Sequence, residues 1–207
     1  WINVLANAHF GCLISESGSG YTWAENSSEN RLTTWHNDPL ADRPGEALYL
    51  RDEETGEFWS PTPQPAPAPS AYLVRHGAGY TIFEHHSHGL EQATRVWVPP
   101  HDPLKIVQVT LENTQSRNRR ITATFYAEWV LGPVRENQQP FILSEFDASD
   151  NILLARNPYN AEFGERVAFV AASKEPHGLT TDRTEFLGRQ GRFCRPAALA
   201  RVGLSGQ

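Results

Sequence analysis

Three histidines crowd into four positions, His85, His86 and His88, directly after Glu84. On an extended strand, side chains alternate faces, so Glu84, His86 and His88 share one side and His85 takes the other. Two imidazoles and a carboxylate could begin a metal shell. No cysteine stands near enough to complete it, and the group falls on a hairpin-turn pattern, Ser87-His88-Gly89, where polar side chains are solvated. The expectation is therefore no metal and no cofactor. Carboxylates are scattered, at Glu16, Glu25, Glu46, Asp52, Glu53, Glu54, Glu128, Glu145 and Asp147. Glycoside chemistry needs two of them facing each other at a defined separation, which spacing along strands does not establish. The Gly/Ser-rich residues 15–21 lack the Lys-Ser/Thr ending of a phosphate loop and read as a tight turn. No serine has the surroundings of a nucleophile elbow. No catalytic constellation stands out from these patterns.

The aromatics are more informative. Tyr21, Trp23, Trp35, Tyr49, Phe58 and Trp59 are interleaved with Asn, Arg, Asp and Ser. Flat rings beside planar hydrogen-bonding groups suit sugars, whose C–H faces stack while their hydroxyls bond. Taken singly, each ring is also what a β-sheet core is made of. As a group, Tyr21, Trp23, Arg31, Trp35 and Trp59 are the candidates for carbohydrate or inter-domain contact. The Gly-rich turn after Ser15 is expected to bring Tyr21 and Trp23 near Arg31 within one hairpin.

The elements that would position these residues are strands. Segments between Asn-, Gly-, Ser- and Pro-rich punctuation alternate with period two. Residues 104–112 put Val107, Val109 and Leu111 on one face, and after a polar turn at 113–118, Ile121, Ala123, Phe125, Ala127 and Trp129 share another. Thr122, Thr124, Tyr126 and Glu128 take the opposite side, and the two segments read as one long antiparallel hairpin. Further hairpins join 48–51 to 58–59, 79–86 to 90–98, and 141–146 to 152–156, with another strand at 167–172. No window shows sustained helical periodicity, so few or no helices are expected. Prolines at 61, 63, 65, 67 and 69 force an extended path without ladder donors, predicted to be a crossing between sheets inside one domain. The fold class is all-β, a large two-sheet antiparallel β-supersandwich over residues 1–207.

Composition narrows the classes of function. The chain has 207 residues, 18 Lys and Arg against 24 Asp and Glu, a formal charge of −6, and 39% hydrophobic residues. That apolar content excludes disorder, and no run reaches the ~18–20 residues of a membrane-spanning helix. The acidic balance argues against a nucleic-acid binder. There is no methionine, and the chain opens on Trp1 and closes on Leu204-Ser205-Gly206-Gln207 without a final element, so it reads as a piece of a larger protein. Cys12 and Cys194 stand near opposite ends and fit no metal spacing; they read as two small buried residues in a reducing, cytoplasmic setting, a disulfide joining the two ends being the alternative in a secreted chain. Asn26-Ser27-Ser28 is a glycosylation sequon that carries meaning only in a secreted chain.

Several short runs together carry a family resemblance: Trp1-Ile2-Asn3-Val4-Leu5, Gly18-Ser19-Gly20-Tyr21-Thr22-Trp23, Asn30-Arg31-Leu32-Thr33, Leu48-Tyr49-Leu50-Arg51-Asp52 with Phe58-Trp59-Ser60-Pro61-Thr62, His76-Gly77-Ala78-Gly79-Tyr80, and Asp182-Arg183-Thr184-Glu185-Phe186-Leu187-Gly188-Arg189. In this order the chain resembles the N-terminal domain of glycoside hydrolase family 94 (glycosyltransferase 36 type), and most of all the phosphorylase-like region of cyclic β-1,2-glucan synthases. The resemblance implies a galactose mutarotase-like sandwich followed by an (α/α)6 barrel that carries the general acid and the phosphate site. It thus implies a glycosyltransferase or glycoside phosphorylase as parent, with a possible membrane association of its own, and an inactive fragment here. The partners implied are a β-glucan or oligosaccharide, the barrel of the same polypeptide, and a second copy of the parent, with neither nucleic acid nor membrane touched by this fragment. A free-standing carbohydrate-binding module is the alternative. A sandwich epimerase is a third reading, and it requires a His/Glu pair in a cleft.

Overall fold

A computed structural model describes residues 1–38 and 40–206 of the chain; Gln207, the last residue of the closing tetrad, lies outside the described residues. Fifteen strands form: β1 (Ile2–Ala6), β2 (Phe10–Ser15), β3 (Gly20–Ala24), β4 (Arg31–Thr33), β5 (Glu46–Asp52), β6 (Phe58–Trp59), β7 (Tyr72–Gly77), β8 (Tyr80–Ser87), β9 (Leu90–Trp97), β10 (Ile106–Asn113), β11 (Ile121–Ala127), β12 (Trp129–Gly132), β13 (Leu143–Asp147), β14 (Ile152–Arg156) and β15 (Val167–Ala171). Two short helices, α1 (Arg135–Gln138) and α2 (Arg183–Leu187), and two single turns of 3₁₀ helix at Gln139–Phe141 and Ala197–Ala200 complete the described elements. The chain is the all-β supersandwich expected. Its antiparallel strands are grouped into four sheets, in the orders β1-β2-β3-β4-β12, β10-β9-β8-β7, β11-β5-β6 and β13-β14-β15.

Period-two burial builds the layers. In the β8–β9 hairpin Thr81, Phe83, His85 and Ser87 alternate inward, as do Leu90, Gln92, Thr94 and Val96. The turn between them has positive φ at both central residues, His88 (53°) and Gly89 (70°), the primed geometry that matches strand twist. Phe83 and Val96 pack on Leu5, Cys12 and Ile14, joining the four-stranded sheet to β1 and β2. Leu50 and Trp59 join the same sheet to β5 and β6 through Leu90. The Pro-rich segment runs from β6 in one sheet to β7 in another. Tyr49 and Tyr126 are covered by Phe186, Leu187 and Leu199 of the C-terminal helical segment.

One expectation about the strand pairing is overturned. The predicted hairpin of 104–129 does not form: β10 extends the β8–β9 hairpin by pairing with β9, whereas β11 pairs with β5 in a different sheet. The polar connection is a crossing rather than a turn, and Arg119 pins it. Its guanidinium pairs with buried Asp52 and donates to the His88 carbonyl at 2.6 Å, bridging the two sheets. On β11 the tertiary structure decides which of the two faces is covered. Tyr126 and, just beyond the strand, Glu128 face inward, while Phe125 is 37% exposed. The C-terminal segment supplies the rings that cover Tyr126, and alternation alone does not tell which face will be covered.

Candidate functional site

Tyr21 and Trp23 lie two residues apart on β3 and therefore share a face. Arg31 opens β4 directly opposite Trp23. The Gly-rich turn does not make this pairing, because it joins β2 to β3. The approach of Arg31 depends instead on the next turn, residues 25–30, where Glu25 has φ 62° and the Asn26 side chain accepts from the N–H groups of Ser28 (2.8 Å) and Glu29 (3.0 Å). Buried Asn30 donates back to the Ala24 carbonyl at 3.0 Å and closes the turn.

On this frame Tyr21 is the centre of an aromatic row, with Trp23 at 5.3 Å and Trp35 at 5.5 Å between ring centroids. The Arg31 guanidinium lies 5.7 Å from the Tyr21 centroid, a cation–π contact. Tyr21 donates to the Ser27 carbonyl at 3.3 Å, and Arg31 Nε to the same oxygen at 3.4 Å. Burial pushes the Tyr21 phenol pKa up, with Arg31 opposing. All four side chains are half-buried, so their outer faces meet solvent.

One face of the Trp23 ring rests on backbone. Gly11 pairs with Trp23 across β2 and β3, and a Cβ added at Gly11 would lie 2.7 Å from Trp23 Cε2. Only glycine lets the indole lie flat over the neighbouring strand. Sequence reasoning missed Gly11, although a lone glycine within an alternating strand is the recognised sign of such a close approach. Behind the row, Thr22 and Thr33 turn inward and donate to Glu46 Oε1 at 2.6 and 2.7 Å, while Lys105 pairs with the other carboxylate oxygen and donates to Thr22 Oγ1 at 2.7 Å. This nearly closed network fixes β3 against β4.

A cleft of about 170 Å³ adjoins Trp35, lined among others by Arg31, His36, Arg135 and Glu136. It is smaller than the ~300–1,000 Å³ of drug-sized pockets and suits one end of a ligand. His36 and Glu136 are a His/Glu pair in a cleft, yet the polar partner of His36 is Thr34, 3.3 Å from Nε2. Arg135 is held by buried Glu128, which also accepts from Arg183 Nε at 2.9 Å.

The remaining sequence candidates lie elsewhere. Trp59 does not join the row: it is 1% exposed, donates from Nε1 to Gln92 Oε1 at 2.8 Å, and stacks on His88 at 3.9 Å. His88 therefore turns toward the core rather than sharing the face of Glu84 and His86, because the positive φ of the turn breaks the alternation. His85 is buried and stacks on Tyr72 at 3.8 Å. Among the described residues no group of three or more His, Cys, Asp or Glu side chains converges as a metal shell would. The arrangement at β3 and β4 can stack and hydrogen-bond a flat partner.

A family model described as "Glycosyl hydrolase 94, supersandwich domain" matches residues 1–207. The chain is 40% identical over 200 residues to the cyclic beta-(1,2)-glucan synthase NdvB of Rhizobium meliloti (strain 1021), a match covering 96% of this chain and 7% of that protein. It is 29% identical over 207 residues to an N,N'-diacetylchitobiose phosphorylase of Vibrio furnissii, covering 97% and 26% respectively. A solabiose phosphorylase of Paenibacillus borealis is 35% identical over 162 residues, with 76% and 21% covered. The chain thus spans about a quarter or less of the length of these relatives.

Proposed function

Because the chain belongs to the glycosyl hydrolase 94 supersandwich domain family, we propose that it is the non-catalytic, carbohydrate-associated domain of a β-glucan synthase or phosphorylase-like enzyme. In this reading residues 1–207 are one sandwich of a longer polypeptide, with the Pro-rich crossing 61–69 inside it. It docks on an (α/α)6 barrel that carries the chemistry, and touches glycan in a secondary role. The carrying observation is the half-exposed row of Tyr21, Trp23 and Trp35 capped by Arg31, a rigid apolar surface with a polar handle. The relatives, several times longer than this chain, support a further part for it to dock on. So does a second surface, the outer face of β13–β15, where Leu143, Val167 and Phe169 are about half exposed. Cys12 is buried as expected, whereas Cys194 is exposed, and the two unpaired thiols favour a cytoplasmic setting. No helix among the described residues is long and apolar enough to cross a membrane.

Trp23→Ala separates docking from glycan recognition. A buried aromatic anchor lost from an interface costs about 2 kcal/mol, about 30-fold in affinity. Association of the variant with the remaining polypeptide supplied in trans is expected to weaken by that factor, while oligosaccharide titration changes little. Loss of oligosaccharide binding with association unchanged overturns docking and makes the row a glycan platform.

A further inference from the structure

A second cleft, of about 350 Å³, opens between Arg43 and the C-terminal segment, and Arg43, Arg183, Arg189, Gln190, Gly191 and Phe193 line it. Three arginines line it in a chain whose formal charge is −6, and among the described residues no Asp or Glu does. Of the acids nearest in sequence, Asp38 feels the Arg43 charge, but its carboxylate accepts from the N–H groups of Leu40 at 3.0 Å and Ala41 at 3.2 Å. Asp42 accepts from Ser15 Oγ at 2.9 Å and from Ser17. Asp182 caps the Thr184 N–H at 2.7 Å, and Glu185 holds Arg201 and Ser205. Among the described residues, Arg43 and Arg189 form no ion pair and both are exposed. Arg183 is different, because its Nε donates to Glu128, a carboxylate only 8% exposed. That bond anchors the guanidinium through Nε, and Tyr126 lies beside it as well. Gly191 stands next to its Nη atoms: a Cβ there would lie 3.7 Å from Nη1 and 3.8 Å from Nη2, and the residue has φ +59°. The left-handed backbone favours glycine here, and the absence of a side chain keeps the approach to Arg183 open.

We propose that this cleft binds a phosphoryl group, free or carried on a sugar. Planar guanidiniums present paired donors that match the oxygens of such a group, and three of them exceed what a single carboxylate can accept. The site is distinct from the aromatic row and does not rest on its assignment.

The test follows thermal unfolding of the 207-residue chain against inorganic phosphate, glucose 1-phosphate and glucose at constant ionic strength. A ligand bound only by the folded state raises the midpoint saturably. Phosphate or glucose 1-phosphate is expected to do so and glucose is not; a response to both identifies the phosphoryl group alone as ligand, and a response to the ester alone identifies the sugar-borne form. The double variant Arg43→Gln/Arg189→Gln is expected to need about tenfold more ligand or higher for the same shift, from the loss of charged hydrogen bonds. A second measurement needs no variant: phosphate should slow phenylglyoxal modification of Arg43 and Arg189, read by peptide mass spectrometry, but not of exposed Arg95. No saturable shift, an unchanged shift in the double variant, or equal protection at all three arginines overturns the proposal.

Discussion

Gly11→Ala is a one-methyl perturbation that tests how the aromatic row is held. The added Cβ would lie 2.7 Å from Trp23 Cε2 and 2.9 Å from Ala6 Cβ, with Trp23 Cζ2 nearer still, whereas ordinary contact begins at 3.4 Å. The indole must therefore lift by about 0.7 Å or more, or β2 must bow away from it, and overpacking of this kind costs about 1–3 kcal/mol. For a chain of this size each kcal/mol lowers the unfolding midpoint by about 2–4 °C, so a drop of about 2–12 °C is expected. Lifting the ring also disturbs its 5.3 Å contact with Tyr21, which contributes to near-ultraviolet circular dichroism. Gly203→Ala is the control, since nothing lies within 4 Å of a Cβ there and its φ carries no strain. If Gly11→Ala melts within about 1 °C of the parent and keeps its near-ultraviolet spectrum, Trp23 is not held against β2 as described.

Two further substitutions probe the supporting structure. Lys105→Met leaves Glu46, 12% exposed, with hydroxyl donors but no cation, and should cost about 3 kcal/mol, or about 9 °C in the midpoint; adding Glu46→Gln should restore most of it, as thermal unfolding will show. His85 has its pKa lowered, first by burial, with the Ala71 carbonyl opposing and His86 adding to the shift. The unfolded chain then binds the proton first as pH falls below about 6.5, so stability present above that value is lost from there down to the lowered folded value. His85→Phe keeps a ring on Tyr72 and should flatten part of that loss in urea unfolding measured on both sides of the window; an unchanged slope refutes the assignment.

Local signals determined much of the molecule. Alternation and turn residues placed the hairpins of β5 with β6, β8 with β9, and β13 with β14, because period-two patterning and hairpin geometry are set within a few residues. Four of the five contact candidates, Tyr21, Trp23, Arg31 and Trp35, come together because they fall on neighbouring strands or just beyond them. The ordered family runs were legible for the same reason, each being a short contiguous segment. What the sequence left open is non-local. Period two defines two faces but not the covered one, and Tyr126 rather than Phe125 faces inward because rings from residues 186 and 193 arrive to cover it. Trp59 looks like Trp35 in sequence, yet Gln92 and His88, both more than twenty residues away, decide that it is core. The strands on either side of Asn113 look like one hairpin, and only the Arg119–Asp52 bridge between sheets shows why they part. The three-arginine cleft joins positions 43, 183 and 189, a convergence that no local pattern encodes because it exists only once the C-terminal segment has packed against the sheets.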